Sequence, residues 1–385
     1  MYKYRLVTPG PVAVSERVRR AMAEELIHHR APGFQPVLRD VREKLKQLFQ
    51  TRQEVLLLAS SGTGAMEACV SNLLSQGERA VVVRAGKFGE RWAELCEAYG
   101  VRPVCVDVEW GRAVRPEEVQ AAFEAAPDAR ALLVQASETS TGVFHPVREL
   151  AEVVHQKPGR MIVVDGISAL GVHDLPMDTW GLDALLSGSQ KSLGLPPGLA
   201  FVALSQIAQA ALKESTQPRY YFDLRKELEG QPRGQTAYTP AVSLIVGLRE
   251  ALGVILDEGL PAVFARYERM AGIMRAAVEA LGLTLFAPES PSFACTALRV
   301  PVGIDGGELV RRLRDVYGVH VGGGQGKVAG KILRIGHMGD VDGFDLLAVV
   351  AALEMALIDL GYAARVGEGM RTMTRLLREL SSEKE

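Results

Sequence analysis

Cysteine is scarce in this chain: four thiols in 385 residues, at positions 69, 96, 105 and 295. No two form a CxxC pair, and each stands in an apolar or helical stretch. Neither a disulfide framework nor a zinc ligand set is expected, but buried free thiols in a reducing compartment. Net charge is scarce as well. Lysine and arginine number 44 against 46 aspartates and glutamates, a formal charge of −2, and the sequence pI is about 6.4. No basic field is available to draw nucleic acid or an anionic membrane, so partners are expected to be found through a specific site. The N-terminus, MYKYRLVTPGPV, lacks the long apolar stretch of a signal peptide. The most apolar late segment, 344–361, carries Glu354 and Asp359 and reads as a packed helix rather than a membrane span. A cytoplasmic protein with neither nucleic-acid nor membrane partners is the expectation. Internal repeats and low-complexity linkers are absent too.

What is present is material for a core: 48% of residues are hydrophobic and 23% charged. The length exceeds the usual size of a single core, so more than one domain is expected. Seven short apolar runs read as strands: 55–59, 80–85, 101–108, 131–136, 161–165, 183–187 and 199–205. Amphipathic stretches at 64–75, 89–99, 115–126 and 146–156 separate most of them. Such alternation predicts an α/β domain with a mostly parallel seven-stranded sheet covered by helices, and continuous apolarity predicts strands buried on both faces. After residue 205 long helical segments dominate, notably 241–258 and 261–281. Strands at 283–286, 294–300, 319–322 and 331–336 come next, with helices at 306–318 and 343–360, a smaller α+β unit. The expected division is an N-terminal segment, 1–20, a large domain, 21–258, and a small C-terminal domain, 259–385. The charge-rich tail 364–385 reads as an extra helix or a frayed end.

In an open α/β sheet, ligands bind beyond the carboxyl ends of the strands, so the residues just after each run are the candidates for chemistry. SSGTGAMEA (60–68) is a glycine turn opening a helix, a setting for phosphate, with Ser61 and Thr63 as added hydroxyls; it is equally common packing punctuation. It is no Walker loop, and neither is GGGQGK (322–327). Asp165 ends an apolar strand, where it either caps a turn or faces a cation. No further ligands are spaced for a metal, so a cationic ring nitrogen fits better. Lys191, in SGSQKSLGLPPG (187–198), is either a solvated lysine or a desolvated amine suited to Schiff-base chemistry. Turn, carboxylate and lysine match the phosphate, ring nitrogen and aldehyde of pyridoxal phosphate. Phe88 is a core residue or a lid on a flat ring. Arg334, inside an apolar strand, is the half of a salt bridge or a bidentate partner for a substrate carboxylate.

These motifs together resemble the class V, fold type I pyridoxal-phosphate aminotransferases, in the alanine–glyoxylate/serine–pyruvate branch. TPGP (8–11), HRAPGF (29–34), SGTGAMEA (61–68), ETSTGV (138–143), VVDGISALG (163–171), SGSQKSLGLPPG (187–198), YTPAVSLIVGLRE (238–250) and LRIGHMG (333–339) carry the likeness in order. The resemblance implies the fold type I architecture and pyridoxal 5'-phosphate as cofactor, bonded through Lys191, with Asp165 on its ring nitrogen. Ser61, Gly62, Thr63 and Gln190 would hold its phosphate, Thr139 would bond near its ring hydroxyl, and Ile167 and Phe88 would flank the ring. Arg334 would take the substrate carboxylate, with the backbone at Pro9–Gly10 closing that pocket. Thr239 would reach the cofactor phosphate of the other subunit, which implies a homodimer with a shared site. The implied activity is ping-pong transfer of an amino group from alanine or serine to glyoxylate or pyruvate. Aspartate, phosphoserine or an aminophosphonate are alternative donors. Lyase or desulfurase chemistry, or a non-catalytic structural subunit, stands further off. The chain departs from the family pattern in having Phe88 for a common Trp, Thr63 for a His and Thr236 for a partner-subunit Tyr, while Gln190, where desulfurases carry a His, sets it apart from those relatives.

Overall fold

The computed structural model describes residues 3–382; Met1, Tyr2 and the last three residues of the tail lie outside that range. Seven strands build the main sheet: β1 (Val55–Leu58), β2 (Arg79–Arg84), β3 (Arg102–Asp107), β4 (Ala131–Gln135), β5 (Met161–Asp165), β6 (Ala184–Gly188) and β7 (Ala200–Leu204). Their order is β1-β7-β6-β5-β4-β2-β3. All run parallel except β7, which is antiparallel to both neighbours. The strands β1, β4, β5, β6 and β7 are buried at every residue, as their unbroken apolar sequences require when helices cover both faces. β3 is an edge. Its ends are exposed and its middle half-buried, and Arg84 of β2 ties it inward by gripping Asp107 through two bonds of 2.8 and 2.7 Å. The other edge is closed by a side chain. The buried Gln231 side chain accepts from the Leu57 N–H at 2.9 Å and donates to its carbonyl at 2.8 Å, standing in for a missing strand.

Two helices matter for the site: α1 (Gly62–Leu73) follows β1, and α2 (Lys87–Ala98) follows β2. Beyond the sheet come two long helices, α3 (Val242–Glu258) and α4 (Leu260–Ala280). The C-terminal α+β domain has its own sheet, in which β10 (Ile332–Gly336) lies between β8 (Cys295–Arg299) and β9 (Gly322–Gly323), all antiparallel. Helices α5 (Gly343–Asp359) and α6 (Glu368–Ser382) complete it, so the tail's helical reading holds for its described residues. The strand expected at 283–286 is instead a single bridge, Leu285 to Leu298. The N-terminal Arg5–Leu6 pairs in parallel with Val319–His320, attaching the start of the chain to the C-terminal domain. A 16-residue helix, Phe34–Phe49, is absent from the sequence-based expectation although Phe34, Val37, Leu38, Val41, Leu45 and Leu48 give it a three-and-four apolar spacing. Three of the thiols are buried and Cys105 is partly so; all four are free.

Candidate active site

Because β1, β2, β4, β5 and β6 are parallel, the residues after each emerge on one side of the sheet. After β1, Ser61 is extended at φ −87°, ψ 170° and starts α1 without a side-chain cap bond. The first N–H groups of that helix therefore lack intrahelical acceptors, and the helix dipole makes the place favourable for an anion. A Cβ at Gly62 would collide with the Ile167 side chain, so glycine is what lets the chain after β5 lie against the head of α1.

Lys191 follows β6 and is only 8% exposed. Its amine donates to the Pro9 carbonyl at 2.6 Å. A Cβ at Gly10 would land on that amine, and Gly10 has φ +129°, so both conformation and space demand glycine there. Burial lowers the Lys191 pKa to about 8, because a desolvated ammonium loses hydration that one carbonyl does not replace. Asp165, 4% exposed at the end of β5, accepts the Ile167 N–H at 2.8 Å. Burial raises its pKa to about 7, and that backbone bond only partly opposes the shift.

Thr139 is buried after β4. Its hydroxyl donates to Ser168 at 2.6 Å, and its carbonyl accepts from Arg334 Nη1 at 3.0 Å. Arg334 itself, on β10, donates further to the Gly323 carbonyl from Nε at 3.0 Å and Nη2 at 2.7 Å. The internal salt bridge left open for it is not found among the described residues; its partners are neutral carbonyls. Burial lowers its pKa, the mark of a cation short of an anion.

Phe88 sits in the first turn of α2, and its position is set by Glu138, a residue not singled out in the sequence. Glu138 is fully buried and accepts the backbone N–H groups of Phe88, Gly89 and Ser140, each at 3.1 Å, and the Ser140 hydroxyl at 2.5 Å. It caps α2 from another loop. Burial nevertheless raises its pKa. Arg91, one turn further along α2, is likewise unmarked in the sequence. It donates to the Thr63 hydroxyl at 3.0 Å and holds its guanidinium 4.9 Å from the Phe88 ring centre.

These side chains surround one cavity of about 210 Å³, lined by Gly10, Gly62, Thr63, Phe88, Thr139, Asp165, Ile167, Gln190 and Lys191 together with Arg91. Ser61, Arg334 and Thr239 do not line it. Ser61 is exposed at the head of α1, and Arg334 is buried next to the lining residue Thr139, donating to its carbonyl and to that of Gly323. Thr239 is exposed on a separate surface depression of about 410 Å³ with Leu26, Ile27 and Leu244. No signal within a single element marks Arg91 or Glu138, since both act across loops that only the fold brings together. Among the described residues no group of His, Cys, Asp and Glu is placed to hold a metal, and no helix is long and apolar enough to cross a membrane.

Known proteins share this arrangement of sequence and fold. Residues 15–337 match the family Aminotransferase class-V. The chain is 39% identical over 378 residues to the soluble hydrogenase small subunit of a Synechococcus strain, covering 97% of this chain and 98% of that one. It is 38% identical over 369 residues to the L-aspartate–glyoxylate aminotransferase of Paracoccus denitrificans, covering 94% and 93%. Among solved structures, an alanine–glyoxylate aminotransferase from Nostoc superposes with a TM-score of 0.88 at 30% identity, covering 93% of this chain and 96% of that one.

Proposed function

The chain belongs to the class V aminotransferases, and from that premise we propose that it uses pyridoxal phosphate to move an amino group from alanine or serine to glyoxylate or pyruvate. The observation that carries this reading is the meeting of a buried amine and a buried carboxyl, Lys191 and Asp165, in one cavity whose floor is a helix N-terminus. The residues suit that cofactor. The Gln190 amide oxygen is buried without a hydrogen-bond partner, so this amide is not engaged by the protein. Gly62 and Gly10 leave room that any side chain would fill. Pyridoxal phosphate, when bound, supplies a cationic heterocycle that stabilises negative charge developing on carbon next to the amine.

The remaining roles belong to the chain's own residues. Lys191 would hold the cofactor through its aldehyde, and its free amine, buried on the cavity wall, would be the base that takes and returns the α-proton of the amino acid. Its lowered pKa leaves roughly a tenth of the amine neutral at pH 7, far more than an ordinary lysine offers, as a base requires. Asp165 would meet the ring nitrogen and keep it protonated. Ser61, Gly62, Thr63 and Gln190 would hold the phosphate, Thr139 would bond near the ring hydroxyl, and Phe88 and Ile167 would flank the ring. Arg334, buried without an anionic partner, takes the substrate carboxylate beside the Gly10 backbone. Thr239, exposed on this chain, would serve the site of a second copy in a homodimer. The hydrogenase name of the Synechococcus relative is not carried over: the described lining offers one carboxylate and neither thiolate nor imidazole, the ligands redox metals favour. Aspartate is the second reading for the donor, favoured by the Paracoccus relative.

The test is a donor-by-acceptor panel with the purified, pyridoxal-phosphate-loaded chain, checked by sedimentation for a two-chain mass. Alanine or serine with glyoxylate or pyruvate should give the fastest transfer, and Lys191→Ala should abolish it. Turnover by the Lys191→Ala protein would sink the mechanism; transfer from aspartate alone would select the second reading.

A further inference from the structure

We infer that Arg91 and the Thr63 hydroxyl it engages form one anion-binding unit on the phosphate side of the cavity, at the head of α1. The inference rests on the pyridoxal-phosphate reading and adds a residue to it. Charge leads to it first. The cavity lining contains two cations, Lys191 and Arg91, and one acid, Asp165. With Lys191 committed to the aldehyde and Asp165 to the ring nitrogen, the proposed phosphate partners on α1 and Gln190 are all neutral. A phosphate ester carries roughly two negative charges at neutral pH, and burying it against neutral donors alone is costly. Arg91 is the cation left to meet it.

Hydrogen-bond direction leads to the same place. Arg91 Nη1 donates to Thr63 Oγ1 at 3.0 Å. A hydroxyl whose lone pair is taken by a guanidinium is left to donate its own proton onward, and Thr63 lies on the cavity wall. An acceptor that is anionic, rather than neutral, gains most from such a pair.

The surroundings keep Arg91 available. The α2 acids within one turn of Arg91 have other partners: Glu90 pairs with Lys87 at 3.2 Å and Lys327 at 3.9 Å, and Glu94 with Lys87 at 3.3 Å. Among the described residues no carboxylate pairs with Arg91. The Phe88 face holds the guanidinium in position without neutralising it.

The experiment compares two ligands on the full chain freed of cofactor: pyridoxal phosphate, and pyridoxal, which has the same ring and aldehyde but no phosphate. Binding is followed by tryptophan fluorescence. Arg91→Met should weaken pyridoxal phosphate about tenfold or more and leave pyridoxal unchanged. Arg91→Lys should recover most of the loss. Thr63→Val should weaken pyridoxal phosphate less, and the double variant should lose less than the sum, because the two groups act as a pair. Unchanged pyridoxal phosphate affinity in Arg91→Met overturns the inference. So does an equal loss for both ligands, which would make Arg91 a support for Phe88 only. Intact cofactor affinity with KM raised for aspartate alone would make Arg91 a substrate side-chain contact, and overturns it as well. If the unmodified chain binds neither ligand, the cofactor reading itself fails, a result distinct from any failure confined to the variants.

Discussion

At Asp165 and Lys191 burial pushes two pKa values toward each other, to about 7 and about 8. Without a bound ring, that is strain: above pH 7 the carboxyl must ionise in a dry place with one backbone N–H to help it. A carboxyl whose folded pKa is raised contributes stability below its unfolded value near 4, and loses that contribution as pH rises through 7. Asp165→Asn removes the charge and keeps the shape. In cofactor-free protein the variant should melt close to wild type at pH 5 and about 2 °C higher at pH 8, while amino transfer collapses in the loaded enzyme. Calorimetry at the two pH values checks it; the same offset at both would mean that burial of charge is not what costs stability here. An acid that destabilises the empty fold while matching a cationic ligand is a residue kept for chemistry rather than packing.

At the scale of elements, what is readable in the sequence and what is not divides by the range of the interaction that decides it. The seven main-sheet strands are legible because each is a local apolar run, and the residues after them because strand ends are where such folds bind. Asp165, Lys191 and the α1 turn therefore stand out. Glu138 does not, although it sits in the ETSTGV motif, because its role is to cap α2, an element 50 residues away in sequence. Arg91 looks like one exposed helix charge among several. The bridge at Leu285 replaces an expected strand because the run shares only two backbone hydrogen bonds with β8, one from the Phe286 N–H and one to the Thr284 carbonyl. The capping role predicts a magnitude. Glu138→Ala leaves the buried N–H groups of Phe88 and Gly89 unpaired, so stability should fall by about 2 kcal/mol or more. Urea unfolding would read this loss. A loss under half that size would mean that water or Ser140 can take over the cap.

Across the whole molecule, the C-terminal domain meets the main sheet through the segment 290–294, and that seam depends on neutral histidine. The Phe293 N–H donates to His173 Nε2 at 3.0 Å, and its carbonyl lies 2.9 Å from His337 Nδ1. His173 is stacked between Phe144 and Phe293, with ring centres 3.9 and 4.3 Å away. Next to it, Ser292 bonds Ser137, a residue of the cavity wall, at 2.7 Å. A proton on His173 Nε2 would turn an acceptor into a donor facing another donor. Burial accordingly lowers His173 to about 3 and His337 to about 4. A histidine whose folded pKa is depressed contributes its full stability above pH 6.5 and loses it as pH falls. Each should cost about 1.4 kcal/mol per pH unit below that point. Asp165, raised to about 7, changes stability in the opposite direction over pH 6.5 to 5, so the contribution of His173 is read as the difference in slope between wild type and a variant that keeps Asp165. His173→Gln keeps an acceptor for Phe293 but cannot take up a proton. It should be less stable than wild type at pH 8, yet lose stability less steeply from pH 6.5 to 5 in urea unfolding. An unchanged slope would place the acid sensitivity elsewhere, and the seam would then be held by packing rather than by the protonation state of its histidines.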